Sequence, residues 1–235
     1  MKNKFITFFL ISLFGISNLN QVLAEEFIFK VSDIEITENG NVYRGNNRGT
    51  IKTNNQLELI SNNFEYLKKI NQLEANGDVQ LFDLKNDIII DAQKIFYLKN
   101  EEKIFTLGKT LIKISDKYNV VGYDLILLRD KMILSSKKKA IITDIDSNTY
   151  TLNEFEYLIN QKILKGKTIK AITKSNTGEN DEYFFESAFF DLKENTFLGK
   201  DVKVKFDKSL FGNVKNDPRI NAVSGHGTEQ KKIFE

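Results

Sequence analysis

The chain has 235 residues, 34 basic and 32 acidic, for a formal charge of +2, with no Cys, no Trp, one His and one Pro. The missing Cys excludes disulfides, thiolate nucleophiles and Cys-ligated zinc together. Lys2 and Lys4 are the only charges before Glu25, so the chain beyond residue 24 balances at 32 basic and 32 acidic groups; a surface without net positive field argues against phosphate-backbone binding, and no nucleic-acid partner is expected.

Residues 1–24 read as a secretory signal peptide: Lys2 and Lys4 form a positive start, Phe5 to Ile16 an apolar core, and Gln21-Val22-Leu23-Ala24 a cleavage site. The core is too short to span a bilayer, which takes about 20 apolar residues. The rest of the chain is expected to be exported.

Beyond the leader, apolar and polar residues alternate with period two, as in Ile34-Glu35-Ile36-Thr37, Lys113-Ile114-Ser115 and Asp201-Val202-Lys203-Val204-Lys205-Phe206-Asp207. This is the pattern of half-buried antiparallel strands. Turn residues cluster at Glu38-Asn39-Gly40-Asn41, Asn76-Gly77-Asp78, Asp146-Ser147-Asn148 and Asn176-Thr177-Gly178. Pro218 lies beyond the strand windows and leaves their backbone donors free to pair. Phe64, Leu67, Ile70 and Leu73 are spaced by threes and mimic a helix, but an internal repeat decides against one. Tyr66, Tyr97, Leu127, Tyr157 and Phe190 recur at intervals of 31, 30, 30 and 33. Each unit reads as an apolar-aromatic strand, a polar turn such as Leu98-Lys99-Asn100-Glu101-Glu102, a return strand, a Gly and a further β-branched strand. A period near 30 in a β-rich chain means a supersecondary unit stacked on copies of itself. Five units, with an opening strand pair around Ile34 and Val42, reach from about Phe27 to Phe211, and the stack ends in edges that can take another chain's strand.

The unit apolar-x-Tyr, polar turn, x-Gly-x-Val, as in Asn76-Gly77-Asp78-Val79, resembles the OstA-like repeat of the lipopolysaccharide-transport proteins. The opening Ile34-Glu35-Ile36-Thr37-Glu38-Asn39-Gly40-Asn41 and the closing Asn216-Asp217-Pro218-Arg219-Ile220 are similar to the N-terminal periplasmic domain of the LptD family of outer-membrane assembly proteins. The resemblance implies an all-β fold: an open, V-shaped antiparallel β-jellyroll of the OstA/LptA type over residues 25–211, built from about 30-residue repeats, with 212–235 as a linker toward a C-terminal barrel. It implies lipopolysaccharide transport at the periplasmic face of the outer membrane, without catalysis or cofactor. The implied partners are lipopolysaccharide, an LptA-type bridge protein docked by β-strand augmentation, and the outer-membrane barrel with its lipoprotein plug. Two features depart from the family: the sequence stops at Lys231-Lys232-Ile233-Phe234-Glu235 without a barrel, and it lacks the cysteines that often tie domain to barrel. A stand-alone periplasmic bridge protein of the LptA type is the alternative.

The polar motifs offer little chemistry. His226 lies between two glycines with no evident partner and reads as solvated. Asp144-Ile145-Asp146-Ser147-Asn148 matches half a calcium loop, but Thr149 stands where Gly is required and Phe155 where a bidentate Glu belongs. Lys137-Lys138-Lys139 reads as a solvated turn or guarded edge, with contact to lipid phosphates as the functional option. Gly77, Gly108, Gly166 and Gly199 read as bulge or turn positions. The candidate lipid groove is the repeated apolar stripe: Phe64 and Tyr66, Ile95 and Tyr97, Leu125 and Leu127, Phe155 and Tyr157, Ala188 and Phe190. In a closed sandwich these residues are core; in an open jellyroll they line a groove in which burying ten methylenes of an acyl chain contributes about 8 kcal/mol. The inward face beyond each Gly stays open, because a bulge shifts strand parity. Two other classes compete: a structural β-solenoid or adhesin with a closed core, and a jellyroll hydrolase, which needs a paired carboxylate cleft that the sequence does not single out.

Overall fold

The structure, a computed structural model, describes residues 27–174, 180–208, 212, 215, 217–228 and 231–235. The leader 1–24 and the turn Asn176-Thr177-Gly178 lie outside the described residues. Strands follow one another almost without interruption, as the period-two pattern predicts. The first nine are β1 (Phe27–Lys30), β2 (Glu35–Thr37), β3 (Val42–Gly45), β4 (Gly49–Thr53), β5 (Leu57–Ser61), β6 (Asn63–Leu67), β7 (Gln72–Asp83), β8 (Ile88–Leu98) and β9 (Lys103–Ile114). Six shorter ones come next: β10 (Tyr118–Tyr123), β11 (Ile126–Leu128), β12 (Ile133–Ser136), β13 (Ala140–Thr143), β14 (Thr149–Leu152) and β15 (Glu154–Leu158). The last are β16 (Ile163–Lys174), β17 (Asn180–Asp191), β18 (Thr196–Lys205), β19 (Arg219–Gly227) and β20 (Lys232–Phe234).

Every pairing is antiparallel, and together the strands make one sheet bent along its middle into two leaves. In leaf A, β2, β3 and β6 pair with the first half of β7, and the order continues through the second half of β8, the first half of β9, β11, β12 and β15 to β16. In leaf B, β1, β4 and β5 meet the second half of β7, and the order runs on through β8, β9, β10, β13 and β14 to the second half of β16. β17, β18 and β19 cross from leaf to leaf in the same way. The chain is thus a meander in which each long run crosses the bend once, and two runs make one 30-residue repeat. Asn71, Glu102, Met132, Lys162 and Asn195, the left-handed residues that close successive leaf A hairpins, recur at the same 31, 30, 30 and 33 intervals as the aromatic stripe.

The inner faces of the leaves pack on each other through rings. Phe27 of leaf B meets Tyr66 of leaf A at 4.5 Å between centroids, Tyr118 meets Tyr157 at 5.5 Å, and Tyr150 meets Phe190 at 5.3 Å. Aromatic pairs at such separations add about 0.5–1.5 kcal/mol to the burial of their area.

The bend explains the parity that the sequence leaves open. On β8 the inward residues are Ile88, Ile90 and Ala92, then Ile95 and Tyr97, a step of three across the corner. On β7 the step from Ala75 to Val79 is four, because Gly77 and Asp78 form a bulge with φ of +76° and +46°. Asn76-Gly77-Asp78 is therefore a bulge inside a continuous strand and not a turn between strands. Gly108, at φ +81°, has the same role on β9. Gly166 and Gly199 do not: the positive φ falls two residues later, at Thr168 and Asp201. These two glycines provide room, since a Cβ on Gly166 would stand 2.3 Å from Leu152 and one on Gly199 2.2 Å from Phe185.

The stretch expected as a linker, 212–235, also contributes strands. β19 pairs with β18 along most of its length, β20 pairs with β19, and Glu235 exchanges two 2.9 Å backbone bonds with Ser224. Among the described residues no helix is long and apolar enough to cross a membrane.

Candidate functional site

The ten stripe residues fall into two rows on the inner face of leaf A. Tyr66, Leu73, Tyr97, Ile104, Leu127 and Leu134 sit opposite one another in strand register, and the row runs on through Tyr157 and Leu164 to Phe190 and Phe197. Nearer the bend, Phe64, Ile95, Leu125, Phe155 and Ala188 alternate with small residues such as Ala75, Thr106, Ser136 and Gly166. All ten are at most 8% exposed and belong to one apolar cluster that reaches from Phe27 to Val204. In this conformation they are the packed core between the leaves rather than the wall of an open groove.

The core's accessible boundary is the line where the free rims of the two leaves meet, away from the bend. Leaf A ends in the hairpin turns 68–71, 99–102, 129–132 and 159–162, each hung from the next by a backbone bond such as Arg129 N–H to Glu102 O at 2.9 Å. Leaf B ends in the turns 54–56, 84–87 and 115–117, linked likewise by Leu84 N–H to Gln56 O at 3.0 Å and Ser115 N–H to Asp87 O at 2.8 Å.

Four turns, two from each rim, are joined by a buried polar network. Arg129 of leaf A donates through Nε to Asp83 Oδ2 at 2.7 Å and through Nη2 to Asp83 Oδ1 at 3.0 Å, across to leaf B. Its Nη1 donates to Glu102, and Nη2 also reaches the Asn55 carbonyl at 3.2 Å. Asn55 in turn donates to the Tyr97 hydroxyl at 2.9 Å and to Glu102 Oε1 at 2.7 Å, and Tyr97 donates to the same oxygen at 3.0 Å. The Asp83 side chain is fully buried and that of Arg129 4% exposed. Burial pushes the Asp83 carboxyl up, but the bonds and charge of Arg129, with help from Asn86, outweigh it and hold the group below the usual carboxylate range. Burial also pushes the Tyr97 hydroxyl above its ordinary value. The network fastens rim to rim over the middle of the core.

The sequence reading missed this cluster, because its members lie far apart in the chain, in turns and at the strand ends beside them. One signal was present: Arg129 is one of four arginines in a chain otherwise basic through lysine, and only a guanidinium offers a planar fork for a bidentate carboxylate.

The polar motifs occupy separate places. His226 is exposed on β19, opposite Leu198 and Ile233. The Asp144 carboxylate accepts from the backbone and side chain of Asn148 at 2.8 and 3.0 Å and so closes its own turn. Among the described residues no group of three or more potential metal ligands occurs. Lys137-Lys138-Lys139 forms an exposed corner between β12 and β13, with Lys138 paired to Asp124. It borders a shallow depression of about 1030 Å3 on the outer face of leaf A, floored by Ile126, Phe189 and Leu198.

No family model matches this chain, and no curated protein matches it.

Proposed function

We propose that the chain is a lipopolysaccharide-transport module of the OstA type, a periplasmic domain that shields acyl chains between its two leaves and docks edge to edge with a bridge protein. The observation that carries the reading is the continuity of the apolar interior: the repeat lays one unbroken row of large side chains from Tyr66 to Phe197, with near-equivalent positions every 30 residues. A carrier built this way offers a chain of similar sites, each giving part of the roughly 0.8 kcal/mol per methylene that full burial supplies, so no single site traps the lipid. The edges support the docking half of the reading. Among the described residues β1 and β2 pair on one side only, and Ile28 and Ile36 there are 50% and 53% exposed, an arrangement suited to strand addition. Whether the domain leads to an outer-membrane barrel and its lipoprotein plug or stands alone as an LptA-type bridge does not alter this mechanism.

The closed core favours a second reading, a purely structural β-scaffold of the adhesin kind, in which the same residues never separate. Photo-crosslinking distinguishes the two. With a photoreactive phenylalanine at Tyr97 or Phe155, lipopolysaccharide adducts are expected at both positions; a folded protein that gives none at either would remove the transport reading in favour of the scaffold.

A further inference from the structure

Beside the Arg129 network the two rims part around a cavity of about 390 Å3. Leaf B contributes Lys85 and Lys117 from its 84–87 and 115–117 turns, and leaf A contributes Lys162 from its 159–162 turn. Buried Tyr157 and Met132 line the inner side. No carboxylate lines the cavity, and Asp87 and Asp116, in the same leaf B turns, lie outside it. Among the described residues none of the three lysines is in an ion pair.

A second observation is independent of charge. The Tyr157 hydroxyl is buried with no hydrogen bond of good geometry, although the Tyr118 hydroxyl is close enough to perturb it, and no other buried side-chain polar atom among the described residues lacks a partner. A buried hydroxyl whose one polar neighbour is poorly aligned is costly unless something supplies a better bond.

We infer that this cavity binds a phosphate-type oxoanion, its oxygens held by Lys85, Lys117 and Lys162 and by the Tyr157 hydroxyl, with the apolar part of its carrier against Met132. Three lysines around one cavity suit a phosphate, with its near-double charge and three acceptor oxygens, better than a carboxylate. The apolar carrier rests on the acyl-chain reading above; the oxoanion site does not.

The test is calorimetric titration of the full chain with inorganic phosphate, with monododecyl phosphate below its micelle concentration, and with uncharged dodecyl maltoside. Both phosphates are expected to bind. Tighter binding of the dodecyl ester assigns a lipid source, equal binding a free anion, and either result upholds the oxoanion site. Replacing Lys85, Lys117 and Lys162 with Gln is expected to weaken both phosphates about tenfold, with the thermal midpoint within about 2 °C. Tyr157→Phe is expected to weaken them about threefold while leaving the midpoint unchanged or raised, which a packing role for the hydroxyl would not produce. The inference is overturned if the triple variant binds phosphate as the parent does, or if dodecyl maltoside binds as well as dodecyl phosphate. Lipid adducts at Tyr97 without phosphate binding would remove this site alone, and phosphate binding without adducts would remove the transport reading alone.

Discussion

Arg129→Met is expected to destabilise the chain by about 3–5 kcal/mol, because it leaves a buried Asp83 without its bidentate partner. For a chain near 200 residues each kcal/mol moves the midpoint by about 2–4 °C, so calorimetry should record a fall of about 6–20 °C. Two controls separate the rim network from simple loss of packing. Asp83→Asn combined with Arg129→Met removes the stranded charge and should recover part of the loss, giving a non-additive double-mutant cycle. The pH dependence has a definite sign. Because the folded protein holds the Asp83 carboxyl low, its contribution is complete above about pH 4, the ordinary carboxylate value, and fades as the pH falls through the folded value. The gap between the parent and Arg129→Met should therefore be wide at neutral pH and narrow in acid. A gap independent of pH would mean that Asp83 is not the group left unpaired.

Phe155→Ala should cost about 3–5 kcal/mol, as for a large aromatic deleted from a packed interior. The outward Phe189→Ala should cost about 1 kcal/mol or less. Both are phenylalanines of the same leaf, in successive repeats. They differ in face: Phe155 is 3% exposed, opposite Ser136 and Gly166, whereas Phe189 is 38% exposed on the outer surface. Urea titration of the two variants tests the register directly, since a slip of one residue would exchange their effects.

The repeat was legible in the sequence because it has a single physical cause. Tyr66, Tyr97, Leu127, Tyr157 and Phe190 stand two antiparallel runs apart and share one inward row, so their spacing counts hairpins. What crosses the bend was not legible. A step of three on β8 and a bulged step of four on β7 both keep the apolar face inward, and only the second carries a Gly as a marker; at Thr168 and Asp201 the strained residue has no sequence signature at all. β19 lies in the stretch that the family resemblance marks as a linker; its Ile220-Asn221-Ala222 alternation is weak, and two of its inward positions are Gly225 and Gly227. Those glycines are required by packing: a Cβ on Gly225 would stand 2.8 Å from the Phe234 ring. The Arg129 network joins residues 55, 83, 102 and 129, a set that only the closing of the rims brings together.

A core this closed can take an acyl chain only if the leaves part at the rims, and the Arg129 network is what holds them together. The chain's lack of cysteine gives a clean background for measuring the gap. Leu84→Cys on the leaf B rim and Lys131→Cys on the leaf A rim both replace exposed turn residues and flank the network. With a spin label at each, pulsed electron paramagnetic resonance without lipid should give one narrow distance, and added lipopolysaccharide should shift it to longer values and broaden it. An unchanged distribution at a lipid concentration that saturates adduct formation at Tyr97 would contradict the account.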